Sequence, residues 1–164
     1  MISAITSSAQ SCTDIKKEVD DFRDETNFYS PIMEDSKVQP VLFQKTVTKT
    51  VIYYFVSLRA KGSIAVVDGK GITVLFTDGS KWTDASSVDV KAASNGFEYS
   101  AFIALSKEDV DLFASKKINK YRLYTFDTEI AMADAIKFQA YMKCLLSAGE
   151  PQALKATPSI KPIQ

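Results

Sequence analysis

The chain has 164 residues, with 20 lysines and arginines against 20 aspartates and glutamates, no histidine, two cysteines and 46% hydrophobic residues. Zero formal net charge provides no global field to gather a phosphate backbone or an anionic bilayer, so neither a nucleic-acid binder nor a polybasic membrane-surface protein is expected. The absence of histidine removes the usual general base, the commonest metal ligand and every Ser/His or Cys/His nucleophile pair, and no run approaches the ~20 apolar residues of a membrane helix.

Residues 1–10 are small, uncharged and rich in serine and alanine, which matches the cleavage end of a secretory signal without its basic start. Residues 1–11 are read as that remnant or as a disordered N-terminus, with a cytosolic N-terminus as the alternative. Cys12 follows directly, and its one available partner is Cys144 near the chain's other end. An oxidising compartment would join them in a disulfide. Ala9-Gln10-Ser11-Cys12 also approaches a lipidation site, but the leucine expected three positions before the cysteine is missing. Residues 13–22 fit a helix through Ile15, Val19 and Phe22, or equally an edge strand.

Proline occurs at positions 31 and 40 and not again until 151, 158 and 162. Between these, glycines separate short β-rich runs, the pattern of a meander. Residues 41–49 and 50–59 read as two strands turning at Thr48-Lys49. Residues 63–67, the turn Asp68-Gly69-Lys70-Gly71, and residues 72–77 follow. Asp78-Gly79 is the strongest hairpin signal in the chain, and residues 80–83 return from it. Residues 88–93 and 97–105 form another hairpin around Ser94-Asn95-Gly96, with Phe97, Tyr99, Ala101, Ile103 and Leu105 on one face.

Ser106 caps a helix reaching to about position 115, with Glu108 and Asp109 at its positive end and Val110 and Phe113 as its buried stripe. Residues 118–126 alternate as a further strand. A longer helix covers residues 131–147 through Ala131, Ala135, Phe138, Met142 and Leu145, and Gly149 and Pro151 end it. These elements define an α+β domain over residues 12–149: a curved or partly closed antiparallel meander of about seven strands, with two helices of the C-terminal half packed on it. Residues 150–164 hold three prolines and no amphipathic period, and read as an extended tail.

Candidate sites are sparse. Asp20, Asp21, Asp24, Glu25, Glu34 and Asp35 offer oxygen ligands for calcium, but their spacing fits no EF-hand loop, so a solvated acidic face is preferred. Lys116, Lys117, Lys120 and Arg122 with Tyr121 and Tyr124 are the densest basic and aromatic mix, suited to a phosphate, a glycan or an acidic partner. Lysines on an edge strand also serve simply to block aggregation. Gly69-Lys70-Gly71 has no following helix to hold a phosphate. Trp82 fits the edge of a core as well as a surface anchor. Ser106-Lys107 reads as a helix cap, without a nucleophile motif. No cofactor and no metal are implied.

At Val19-Asp20-Asp21-Phe22, Asp78-Gly79-Ser80-Lys81-Trp82, the stretch from Glu98 to Asp109 and Lys120-Tyr121-Arg122-Leu123-Tyr124, the chain resembles small exported proteins of unassigned function from Gram-negative bacteria. The resemblance is one of layout over residues 11–146. It implies a signal ending in Ser-Ala-Gln, an acidic first strand, a curved antiparallel sheet and a terminal helix, and it carries no active residues. The expected function is an exported, non-enzymatic module that binds another envelope protein. Two alternatives stand beside it: an inhibitor or immunity-type protein that plugs an enzyme cleft with the 80–88 loop, and a hydrolase built on carboxylates and tyrosines.

Overall fold

The computed structural model describes residues 12–31 and 40–149. A single 3-10 turn, Cys12–Asp14, leads into β1 (Lys16–Asp20) and β2 (Glu25–Tyr29). The hairpin of β3 (Val41–Val47) and β4 (Ile52–Gly62) follows, then β5 (Lys70–Phe76), β6 (Lys81–Ser87), β7 (Asp89–Ala93) and β8 (Gly96–Leu105). Helix α1 (Lys107–Ser115), the pair β9 (Ile118–Leu123) and β10 (Phe126–Glu129), and helix α2 (Met132–Ser147) complete the order. Among the described residues, the strands form two antiparallel sheets, β1-β2-β3-β4-β8-β7 and β10-β9-β5-β6.

The α+β class and the two late helices are as expected. The strands number ten rather than seven, and they divide between two open sheets instead of curling into one. Residues 118–126 are not one strand but a hairpin that reverses at Tyr124, whose φ of 54° supplies the left-handed turn. Residues 63–67 are not a strand either. The Tyr99 hydroxyl accepts from the amide of Val66 at 2.9 Å and donates to the Ile64 carbonyl, so a side chain satisfies backbone that a ladder would otherwise hold. The expectations for residues 1–11 and 150–164 lie outside the described residues.

Alternation sets which face each strand buries. In β4, Val56, Leu58 and Ala60 point inward, and Tyr99, Ala101 and Ile103 of β8 do the same across the ladder. In β9 the alternation breaks: Ile118, Tyr121 and Leu123 are all buried, because the register against β5 slips between Leu75 and Phe76. One inserted residue turns Ile118 onto the face that Tyr121 and Leu123 occupy. Helix α1 presses Phe113 edge-on against Phe43, Phe76 and Trp82, with ring centroids 5.2 to 5.7 Å apart. Burying such a ring contributes about 2–3 kcal/mol.

Three contacts tie the sheets and helices into one body. Tyr121 of β9 crosses to the other sheet, its hydroxyl on the carbonyl oxygens of Pro40, at 2.9 Å, and Arg59. The rings of Tyr99 and Phe126 stack at 4.2 Å over Gly62, where a Cβ would come within 2.5 Å of Phe126. At the start of α1, Asp109 closes a capping box with Ser106, and its other oxygen accepts from the Trp82 indole at 2.6 Å. Trp82 is thus a buried core-edge residue. The Ser106 cap is formed as expected.

Helix α2 buries Ala135, Phe138, Met142 and Leu145 of the stripe read from the sequence, whereas Ala131 is the exposed N-cap that precedes the helix. Its C-terminal end lies over β2 and β3, where the Lys45 ammonium donates to the carbonyls of Leu146 and Ala148, and Gly149, at φ 74°, passes the Phe28 ring. Cys144 in its last turns is joined to Cys12 by a disulfide with Cα atoms 5.4 Å apart.

Candidate functional site

The structure disperses the basic and aromatic cluster of residues 116–124. Lys116 is committed to the β5–β6 turn, where it pairs with Asp78 at 2.8 Å and donates to Ser80 at 2.7 Å. Those bonds, the one from Lys116 foremost, hold the Asp78 carboxyl well below its ordinary range. The carbonyl of Lys117 accepts from Thr77, and Tyr124 lies at the other end of the sheet against Gly69. Tyr121 is inside the core, and burial pushes its hydroxyl up to about 12. Only Lys120 and Arg122 share an outward face.

These two line a groove of about 420 Å³ with Thr73, Leu75, Lys81 and Asp127. β9 is an interior strand, between β10 and β5, so edge protection does not account for its cations. Arg122 is spent on Asp127 through paired contacts of 2.5 and 2.8 Å, which raise the guanidinium and lower the carboxyl from their usual values. Glu129 sits opposite Lys120 in register. Lys81, Lys120 and Arg122 stand against Asp127 in the lining, so the groove keeps a net positive charge that Glu129, opposite Lys120, partly offsets.

A second groove, of about 480 Å³, lies on the outer face of the six-stranded sheet over β1, β2 and β3. Its position follows from pairing alone. Glu18, Asn27, Thr46 and Tyr53 are opposite one another across four strands, and Tyr29, Gln44 and Phe55 form the next row. Asn27 is only 7% exposed although it faces outward. Its Oδ1 accepts from Gln44 Nε2 at 3.1 Å and from Thr46 Oγ1 at 2.6 Å, while Gln44 Nε2 also reaches Thr46 Oγ1 at 3.0 Å. Among the described residues the Nδ2 donor of Asn27 has no acceptor, and Asn27 lines the groove.

One wall of this groove is acidic. Glu18, Asp20, Asp21 and Glu25 line it together with a single cation, Arg23. Tyr29 is raised above its ordinary value, first by burial and then by Glu18, Glu25 and Asp20. At the tip of the β1–β2 hairpin Phe22 is fully exposed. The tip is held by Asp20, which accepts from the amides of Phe22 and Arg23 at 3.0 and 3.2 Å, and by Asp24, in the left-handed region at φ 54° and paired with Lys49 at 2.7 Å. Beyond Gln44 the face turns apolar: Phe55 stacks on Phe102 at 4.8 Å, and Tyr53 and Phe102 are half exposed.

Of the acidic residues singled out in the sequence, Asp20, Asp21 and Glu25 meet here, Asp24 faces Lys49, and Glu34 and Asp35 lie outside the described residues. No group of three or more carboxylates or cysteines among the described residues is placed to hold a metal ion. Asn27, Gln44 and Thr46 escape sequence reading because amides and hydroxyls in strands form no motif. The one signal was the polar Asn27 in an otherwise half-buried run. No protein-family model, curated protein or solved structure matches the chain.

Proposed function

We propose that the chain is a non-enzymatic binding module, exported to an oxidising part of the bacterial envelope, that presents the outer face of its six-stranded sheet to another envelope protein. The observation that carries this is the Asn27 side chain, nine-tenths buried and lining an open groove, whose Nδ2 has no acceptor among the described residues. The aromatic side chains of Tyr53, Phe55 and Phe102, of which Tyr53 and Phe102 are half exposed, continue the same face. The Cys12–Cys144 crosslink is compatible with export. Residues 80–88, expected as the loop of an inhibitor, instead hold strand β6 (Lys81–Ser87), with Trp82 buried.

A photo-crosslinking residue placed at Tyr53 or Phe102, with Ile136 on the exposed side of α2 as control, tests the reading in envelope preparations. Discrete adducts at 53 and 102 and none at 136 are expected. Adducts at all three positions, or at none, would overturn it.

A further inference from the structure

Resting on that reading of the face, we infer that the groove's occupant is an extended, basic segment of a partner protein, lying along β1 and β2 with its cations toward the Phe22 tip. Three features converge on it. Four carboxylates, Glu18, Asp20, Asp21 and Glu25, line the wall against one guanidinium, and Lys16, opposite Tyr29, stands at the far end. The negative field is therefore concentrated at the tip. It selects for cations and, by steering, speeds their encounter.

The spacing of that charge fits a strand-like ligand. Glu18 and Asp20 share one face of β1, and Glu25 is opposite Asp20. Alternate residues of a strand are about 6.8 Å apart, the same repeat at which every second side chain of an extended peptide returns. Lysine or arginine at alternate positions would meet Glu18 and then the Asp20–Glu25 pair, which Arg23 approaches at 3.9 and 3.8 Å and leaves with one net negative charge.

Asn27 then separates a peptide from simpler cations. Lysine and arginine side chains, polyamines and metal ions carry no acceptor, so none of them can satisfy the Asn27 Nδ2 donor. A peptide backbone carbonyl can, and it arrives on the same molecule as the cations. Phe22, fully exposed on a hairpin braced by Asp20, offers the anchoring apolar contact at the tip.

The test is titration of isotope-labelled protein, read at the side-chain amide signals of Asn27 and Gln44. Three probes are used: a nine-residue peptide with lysine or arginine at alternate positions, the same peptide with glutamate in their place, and a neutral glucan oligosaccharide. The basic peptide is expected to shift Asn27. Its affinity should fall at least tenfold in the exposed double variant Glu18→Lys/Asp21→Lys, fall again as salt is raised, and weaken in Phe22→Ser. The charge-neutral Glu18→Gln/Asp21→Asn pair keeps the same shape and should lose part of the affinity, which guards against a folding defect. Equal binding of the acidic peptide, or basic-peptide binding indifferent to Glu18 and Asp21, would overturn the inference. An oligosaccharide that moves Asn27 while the basic peptide does not would overturn the basic-segment inference and leave the binding face standing. Silence from all three probes, with no crosslinks at 53 and 102, would remove both.

Discussion

The ammonium of Lys45 lies 2.6 Å from the carbonyl oxygen of Ala148, so a residue of β3, 1% exposed, closes the C-terminal end of α2. The last carbonyls of a helix carry the negative end of its dipole and lack partners within the helix. Lys45 provides two of them with a charged donor, and its Nζ also stands 5.6 Å from the Tyr54 ring centre.

Lys45→Met keeps the length of the side chain and removes the donor. Leaving those carbonyls without it should cost about 1–3 kcal/mol in chemical denaturation. Hydrogen exchange should quicken in the last turn of α2 more than in the hairpin of β5 and β6. Unchanged stability would show that the contact adds nothing to the fold.

Tyr121 predicts a pH dependence. Its hydroxyl is held up to about 12 by burial, against an ordinary value of 10.0. Below about pH 10 the group is protonated in both states, so the stability it confers is fully present there. As pH rises from about 10 to about 12 the unfolded chain ionises first, and that stability is lost. Tyr121→Phe should lower stability by about 1–3 kcal/mol near neutrality, because the Pro40 and Arg59 carbonyls lose a donor. It should also show a shallower decline above pH 10 than the parent. Parallel alkaline profiles for the two proteins would contradict the assignment.

The Cys12–Cys144 bond closes a loop across a sequence separation of 132. On the chain-entropy model such a closure contributes up to about 5 kcal/mol, less whatever compactness the unfolded chain retains. Alkylation followed by mass spectrometry, on protein made in an oxidising compartment, should modify neither cysteine until reductant is added. Reduction should then lower the melting midpoint. Full alkylation without reductant would show that the crosslink is absent.

What could be read from the residues was local. Asp78-Gly79, the Ser106–Asp109 box and the alternation of β8 announce themselves within a few positions, and the α2 stripe within four turns. The division into two sheets was not legible, since it depends on where α1 and the β4–β5 connection carry the chain. Strand β2 was missed because Glu25-Thr26-Asn27-Phe28-Tyr29 has one strongly apolar inward residue, Phe28, and takes its form from pairing on both sides. The candidate site was hidden for a related reason. Asn27, Gln44 and Thr46 are up to 19 positions apart, and register alone brings them together. The acidic half, Asp20 to Glu25, was visible as composition, though as a solvated face and not as one wall of a groove.

The disulfide also bears on the groove. Strand β1 is an outermost strand whose residues are almost all exposed, so burial does little to retain it and its pairing with β2 is the main local restraint. Cys12 stands four residues ahead of it, bound to a buried turn of α2. The crosslink therefore works as an anchor line for one lip of the groove. With it intact, Glu18 and Asp20 are kept at a fixed distance from Asn27. Once it is cut, pairing with β2 is what still holds that lip, so reduction is expected to quicken hydrogen exchange in β1 before the rest of the sheet.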